Sequence, residues 1–340
     1  MRYLLALCAV SVLTLVGGCG GDKETTATTS VTVKEGSSIT IALLPKKKGI
    51  AYFTSCAEGA EEAAQALGNV TVIYDGPTDG SPEKAASMIE KWTLKGVDVI
   101  AVSPNDPSVL APAMKAAQAK GIKIITWDAD AAQDTRSFFI NQATSQQIGE
   151  AMVDALVKDM GTSAGQVAIV TATLTAANQN SWIDAMKARL ADKYPKVELV
   201  AIKPCNEDQK IAFQVAQDLM KAYPDLKGIF GISSVAFPGA AEAVKQAGKS
   251  GQVQITGLST PNAMKNYVKD GTVKSVVLWN TKELGFLTVL AAKAVVDGTL
   301  KAGVTEFDAG KLGKKPVVGD QVLLNNLLVF TKDNIDQFDF

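Results

Sequence analysis

The sequence predicts an α/β protein built as two doubly wound parallel-sheet lobes. Three observations carry this. Short β-branched runs alternate with Ala-, Lys- and Glu-rich stretches of helical spacing; the alternation comes in two successive series; and the strand runs are apolar almost throughout. At 340 residues, 47% hydrophobic and 20% charged, the chain has material for two cores. In the first series, 39–46, 70–75, 97–103 and 122–128 read as strands. Between them 52–67, 82–95 and 107–120 read as helices, each stopped by a glycine (Gly68, Gly96, Gly121). In the second series, strands at 166–173, 197–203, 228–233 and 252–258 alternate with helices at 145–160, 178–194, 208–223 and 238–248. Right-handed crossovers then place helices on both faces of each sheet, which is why both faces of the strands are apolar.

The N-terminus reads as an address. Arg2 precedes an apolar run at 3–16 that ends in Val16-Gly17-Gly18-Cys19. The run has the length of a signal peptide and is short for a transmembrane helix. Small residues directly before a cysteine resemble the bacterial lipobox, in which the signal is cut before the cysteine and the thiol takes diacylglycerol. A lipoprotein signal at 1–18 and lipidation of Cys19 are therefore expected, with a buried apolar helix as the alternative. Residues 20–38 are rich in Gly, Ser, Thr and charge without periodicity, so 19–38 is expected to be a flexible tether. Cys8 would leave with the signal. Cys56 and Cys205 remain, one in each half. A disulfide between them would restrain motion of the halves, so two free thiols are expected.

The formal charge is −1 and the chain has no histidine. The first gives no reason to expect nucleic acid or an anionic membrane surface as partner. The second removes Ser-His-Asp and Cys-His machineries and the commonest zinc ligand. Neither a GxGxxG nor a P-loop occurs, so no nucleotide or other cofactor is expected. In open α/β sheets ligands bind beyond the carboxyl ends of the strands. That rule selects Lys46, Lys47 and Lys48 with Tyr52 and Phe53, then Trp127, Asp128 and Asp130. From the second half it selects Asn178 and Gln179, Ser233 and Ser234, Ser259, Thr260 and Asn262, and Trp279 with Asn280.

Aromatic rings, amides, carboxylates and an ammonium together suit a polyhydroxylated ligand: C–H faces lie on rings while amides and carboxylates bond hydroxyls. An amino-acid ligand would call for an arginine, and Arg136 and Arg189 lie away from the strand ends. Only Lys46, the first of its run, is expected to face the cleft. Trp127 and Trp279 read as ligand platforms or as core; Trp92 and Trp182, inside helical stretches, read as core. Asp128 reads as a ligand acceptor in preference to a turn carboxylate. A glycosidase needs facing carboxylates, whereas Asp128 and Asp130 share one rim, so a receptor rather than an enzyme is expected.

Several stretches taken together carry a resemblance. They are Leu44-Pro45-Lys46, Phe53-Thr54-Ser55, Tyr74-Asp75-Gly76-Pro77-Thr78, Thr126-Trp127-Asp128-Ala129-Asp130, Ile140-Asn141-Gln142, Gln179-Asn180, Ser259-Thr260-Pro261-Asn262 and Leu278-Trp279. Over 39–340 the chain resembles type I periplasmic binding proteins of bacterial ABC transporters, in the ribose- and rhamnose-binding group. Within that group it is similar to the autoinducer-2 receptor and rhamnose-binding subfamily. The resemblance implies an exported, monomeric receptor, periplasmic or at the cell surface, that closes on a sugar and docks on a permease, touching the membrane only through its anchor. It also implies a three-segment hinge, placed here near 141–142, near 280–281 and after a helix at 284–297. Lobe 1 is then 39–141 plus 281–300, and lobe 2 is 142–280 plus 301–340.

In the autoinducer-2 receptor a lysine after the first strand and an aspartate after the fourth hold ligand hydroxyls, and Lys46 and Asp128 match them. Its Asp-Gln pair reads Asn178-Gln179 here, and its Pro-x-Ala stretch, which offers backbone carbonyls, reads Ile232-Ser233-Ser234. An amide in place of a carboxylate removes a charged acceptor. Asn178-Gln179-Asn180 resembles the rhamnose-type binders instead. The implied ligand set is Lys46, Phe53, Trp127, Asp128, Asp130, Asn178, Gln179, Ser233, Ser234, Thr260, Trp279 and Asn280, with a rhamnose-like monosaccharide ranked above autoinducer-2.

Overall fold

The computed structural model describes residues 38–340. The expected signal, Cys19 and the tether up to residue 37 lie outside the described residues. The chain begins with the βα units that the hydrophobic pattern predicts: β1 (Ile39–Leu44), α1 (Ala51–Leu67), β2 (Val70–Tyr74), α2 (Pro82–Lys95), β3 (Val99–Val102), α3 (Pro107–Ala119), β4 (Lys123–Trp127) and β5 (Phe139–Asn141). Local chemistry sets the ends. Ser81 caps α2 by accepting from Lys84 N, Pro82 opens it, and Gly96 closes it in the left-handed region. Asp106 caps α3 in the same way. These strands pair in parallel, in the order β5-β4-β3-β1-β2.

A second series follows: α4 (Ser145–Met160), β6 (Ala164–Thr171), α5 (Ala177–Lys193), β7 (Lys196–Pro204), α6 (Gln209–Ala222), β8 (Leu226–Gly231), α7 (Ala236–Gln246), β9 (Gln254–Gly257), α8 (Pro261–Lys269) and β10 (Val276–Trp279). Its sheet is parallel, in the order β7-β6-β8-β9, and a Leu258–Val277 bridge sets β10 alongside. The protein is thus α/β with two parallel sheets, as the alternation predicts. Next comes α9 (Thr281–Val296), which returns to lie against α1. Two glycines permit that approach. A Cβ on Gly59 would come within 1.8 Å of Lys282 O, and one on Gly285 within 1.8 Å of Cys56 O. Cys56 and Cys205 are free, buried thiols.

The tail departs from expectation. The sequence places 301–340 with the second lobe, but 306–323 joins the first sheet. The elements are β11 (Glu306–Asp308), β12 (Lys314–Val318), β13 (Gln321–Leu323) and β14 (Leu327–Phe330). β13 pairs in parallel with β5, and β12 and β11 add antiparallel strands beyond it. The reason is an edge: without β13 the backbone groups of β5 would be open, and β13 pairs with them while Val322 and Leu323 bury their side chains. β14 joins the second half, antiparallel to β10, and the residues after it lie against α8: Asn262 N donates to Phe340 O at 3.2 Å and Lys265 Nζ to Phe338 O at 3.1 Å. The chain therefore passes between the sheets at β5–α4, β10–α9 and β13–β14. These passages run side by side: Leu324 N donates to Asn141 O at 2.8 Å, Asn325 N to Gln142 O at 3.0 Å, and Asn326 Nδ2 to Glu283 Oε2 at 3.0 Å.

Candidate ligand-binding site

The carboxyl ends of the two sheets face one another. On the first wall, Lys46 follows β1 and is buried; its Nζ lies 3.3 Å from the Asp128 carboxylate and donates to Asn178 Oδ1 at 3.0 Å. Asp128 stands directly after β4 at φ 63°, and Ala129 N donates to Trp127 O across it at 2.6 Å. Such a tight turn is costly for a residue with a side chain, and strain of this kind collects at functional sites. The Asp128 carboxylate accepts from Tyr52 OH and Ser103 Oγ, both at 2.8 Å. Trp279 Nε1 in turn donates to Tyr52 OH at 3.0 Å. Burial, reinforced by the Asp128 charge, pushes the Tyr52 phenol well above its usual range, so it remains a donor.

On the second wall the first turns of α5 bring Asn178, Gln179 and Trp182 to one face. Gln179 Oε1 accepts from Thr171 Oγ1 at 2.5 Å and Ala172 N at 2.8 Å, which fixes the amide. Trp182 and Trp279 meet edge-on, ring centroids 6.2 Å apart. Glu207 arrives from the loop after β7, where Asn206 and Glu207 both have left-handed backbones, φ 54° and 49°. Its carboxylate accepts from Ser233 Oγ at 3.2 Å, and its carbonyl accepts from Lys47 Nζ at 2.9 Å across the cleft. Burial raises the Glu207 carboxyl above its ordinary range, against the pull of nearby Lys46. The walls enclose about 40 Å³.

Of the expected residues, Lys46, Phe53, Asp128, Asn178, Gln179, Ser233, Ser234 and Trp279 line this cavity. Trp127 does not: it is fully buried, with Nε1 donating to Ala101 O at 3.2 Å, because its side chain takes the interior side of the strand end. Asp130 turns to Arg136, which joins it to Asp320, and lines a neighbouring cavity instead. Thr260 and Asn280 cap α8 and α9, accepting from Ala263 N and Glu283 N; helix starts leave N–H groups that need such acceptors.

Six lining residues fall outside the expected set: the aliphatic Ile232, Leu258 and Leu278, and Tyr52, Trp182 and Glu207. Tyr52 stands among the strand-end residues, but the implied ligand set takes only its neighbour Phe53. Trp182, read as core, faces the cavity because it lies one helical turn beyond Asn178. Glu207 has a signal: the polar run Asn206-Glu207-Asp208 follows β7 after Cys205, where the strand-end rule applies equally.

Residues 41–300 match the model of the periplasmic binding protein domain. The ribose import binding protein RbsB of Salmonella typhimurium is 26% identical over 262 residues, which span 76% of this chain and 85% of that protein. LsrB from Clostridium saccharobutylicum, solved in complex with AI-2, is 28% identical with a TM-score of 0.85, covering 89% of this chain and 100% of that one. An ABC transporter solute binding protein from Clostridium phytofermentas, solved with bound L-rhamnose, is 28% identical with a TM-score of 0.84, covering 89% and 98%. Sharing this fold and most of its length with solute-binding proteins, the chain belongs to the periplasmic binding protein family, type I, and is a receptor rather than an enzyme.

Proposed function

We propose that this protein is the sugar receptor of an ABC importer and captures a rhamnose-like monosaccharide in the cleft. Lys46 and Asp128 hold it from one wall and Asn178 and Gln179 from the other. The observation that carries the reading is the position of Lys46. It is a buried ammonium bonded to Asp128 on its own wall and to Asn178 on the facing one, so ligand hydroxyls entering there engage both halves. Trp182, Trp279 and Phe53 supply apolar faces for ring C–H groups.

The closed cleft is too small for a ligand. Small-molecule sites have volumes of roughly 300 Å³ or more, against about 40 Å³ here. Entry therefore parts the Lys46–Asn178 and Lys47–Glu207 bonds; the bound sugar replaces the first, and the second re-forms as the cleft closes. The closed form then docks on the permease as a monomer, and lipidated Cys19 holds the chain to its membrane. Labelled palmitate entering the wild type but not Cys19→Ala is the result expected of that anchor; equal labelling removes it.

The second reading is an AI-2 receptor for uptake or signalling. It is favoured by the equal likeness of the AI-2-bound and rhamnose-bound structures, and disfavoured by an amide at Asn178. A thermal-shift screen over L-rhamnose, D-ribose, D-arabinose and AI-2 separates the two. Ligand at about 100 times its Kd adds about 2.7 kcal/mol to stability. L-Rhamnose is expected to raise the midpoint most. A shift with AI-2 alone selects the second reading, and no shift with any sugar ends the first.

A further inference from the structure

The acceptors around the cavity are not equally free. Asp128 already takes Tyr52, Ser103 and Lys46 on its carboxylate. Gln179 Oε1 takes Thr171 and Ala172, and Asn178 Oδ1 takes Lys46 and, at 2.9 Å, Gln179 N. Among the described residues the Glu207 carboxylate has one donor, Ser233 Oγ. An ionised carboxylate offers about four lone-pair sites, so Glu207 keeps most of its capacity for something else.

It is also held firmly in place. Cys205 N and Asn206 N donate to Thr171 O and Ala172 O at 2.8 and 2.7 Å, and Asp208 caps α6 on the other side. Two consecutive non-glycine residues in the left-handed region are an expensive way to shape a loop, and here they bring a carboxylate to the cavity.

We propose that Glu207 is the specificity-determining acceptor of this site: it takes two adjacent hydroxyls of a neutral polyol, rejects sugar acids, and makes affinity rise with pH as it ionises. The proposal rests on the sugar-receptor reading above. Like-charge repulsion from Asp128 and Glu207 together opposes an anionic ligand, whereas a vicinal diol gives Glu207 two donors at once.

The groups facing Glu207 are Lys46 and Lys47 from the segment after β1, Asp128 from the end of β4, Tyr52 from α1, and Cys205 and Asp208 from its own loop. Burial pushes the Cys205 thiol up to about 12 and the Tyr52 phenol well above its usual range, so both stay protonated across the working range. Backbone N–H groups of Ile211 and Lys210 hold Asp208 below the usual carboxylate range. Burial raises Glu207 itself, so its ionisation, and the affinity that depends on it, is lost at a higher pH than an exposed carboxylate would show.

Isothermal titration with L-rhamnose and with D-galacturonate, on wild type, Glu207→Gln and Glu207→Asp, tests this between about pH 4.5 and about pH 8, a range that spans a raised carboxylate. Wild type is expected to bind L-rhamnose, to weaken toward the acid end and to ignore D-galacturonate. Glu207→Gln, close in shape, is expected to lose about tenfold in affinity at neutral pH and to show no acid-side decline. Glu207→Asp is expected to keep that decline. Wild-type affinity and an unchanged pH profile in Glu207→Gln overturn the assignment while leaving the receptor reading intact. D-Galacturonate bound as tightly as L-rhamnose overturns the neutral-ligand class. A wild type that binds no neutral sugar of the screening panel overturns the receptor reading, and this assignment with it.

Discussion

Lys46 does two jobs, which can be separated. As half of a buried pair it neutralises Asp128, and as a cleft residue it reaches Asn178. Removing one partner of a buried ion pair leaves the other charge uncompensated and costs about 3–5 kcal/mol. Tyr52 and Ser103 still donate to Asp128, so Lys46→Met is expected to fall at the lower end, about 3 kcal/mol. Chemical denaturation measures this, and the same variant should show no thermal shift with L-rhamnose. Unchanged stability would mean that the pair is solvated and contributes little. Residue chemistry at the strand ends was legible in the sequence because the rule behind it needs only the position of each strand end. What was not legible is the side on which a terminal residue points: Trp127 and Trp279 look alike in sequence, yet one bonds Ala101 O in the interior and the other lines the cavity.

Between elements, the α1–α9 contact is the tightest constraint near the cleft. α1 carries Tyr52 and Phe53, and α9 starts two residues after Trp279, beyond its cap Asn280, so their packing sets where three cavity side chains stand. A methyl at Gly285 would sit 1.8 Å from Cys56 O, a backbone atom that cannot swing aside. Gly285→Ala is therefore expected to lower stability by about 1–3 kcal/mol through overpacking. Thermal unfolding checks this, and a midpoint equal to wild type would show that the helices can separate at little cost. The regular βα units were legible because a buried strand and an amphipathic helix each repeat a pattern over many residues. β11 to β14 were not. They have three to five residues each, too short for a period to emerge, and β13 owes its place to the open edge of β5, far away in the chain.

At the scale of the molecule the cleft is proposed to work as a closure device. Lys46–Asn178 and Lys47–Glu207 link the walls directly, while the parallel passages at Leu324, Asn325 and Asn326 offer a common axis of bending. Trp182 and Trp279 stand in the cavity, so their fluorescence reports ligand arrival. Lys47→Ala removes a closing bond and no ligand contact proposed here. It is expected to raise the dissociation rate of L-rhamnose roughly fivefold, about 1 kcal/mol, with little change in association rate. Stopped-flow fluorescence measures both. An unchanged dissociation rate would show that the Lys47 bond does not hold the closed form.

The sequence by itself determined the two series of βα units and their apolar strands, together with the chemistry expected at most strand ends. All of these follow from periodicity and spacing, which are properties of neighbouring residues. Tertiary structure alone decided which of those residues share one cavity. It committed the oxygens of Asp128 to Tyr52, Ser103 and Lys46, left Glu207 with a single donor among the described residues, and drew β13 from the tail to the edge of β5. The physical reason is that hydrogen-bond capacity and edge pairing are settled among groups far apart in sequence, and no local pattern records who has already taken whose lone pairs.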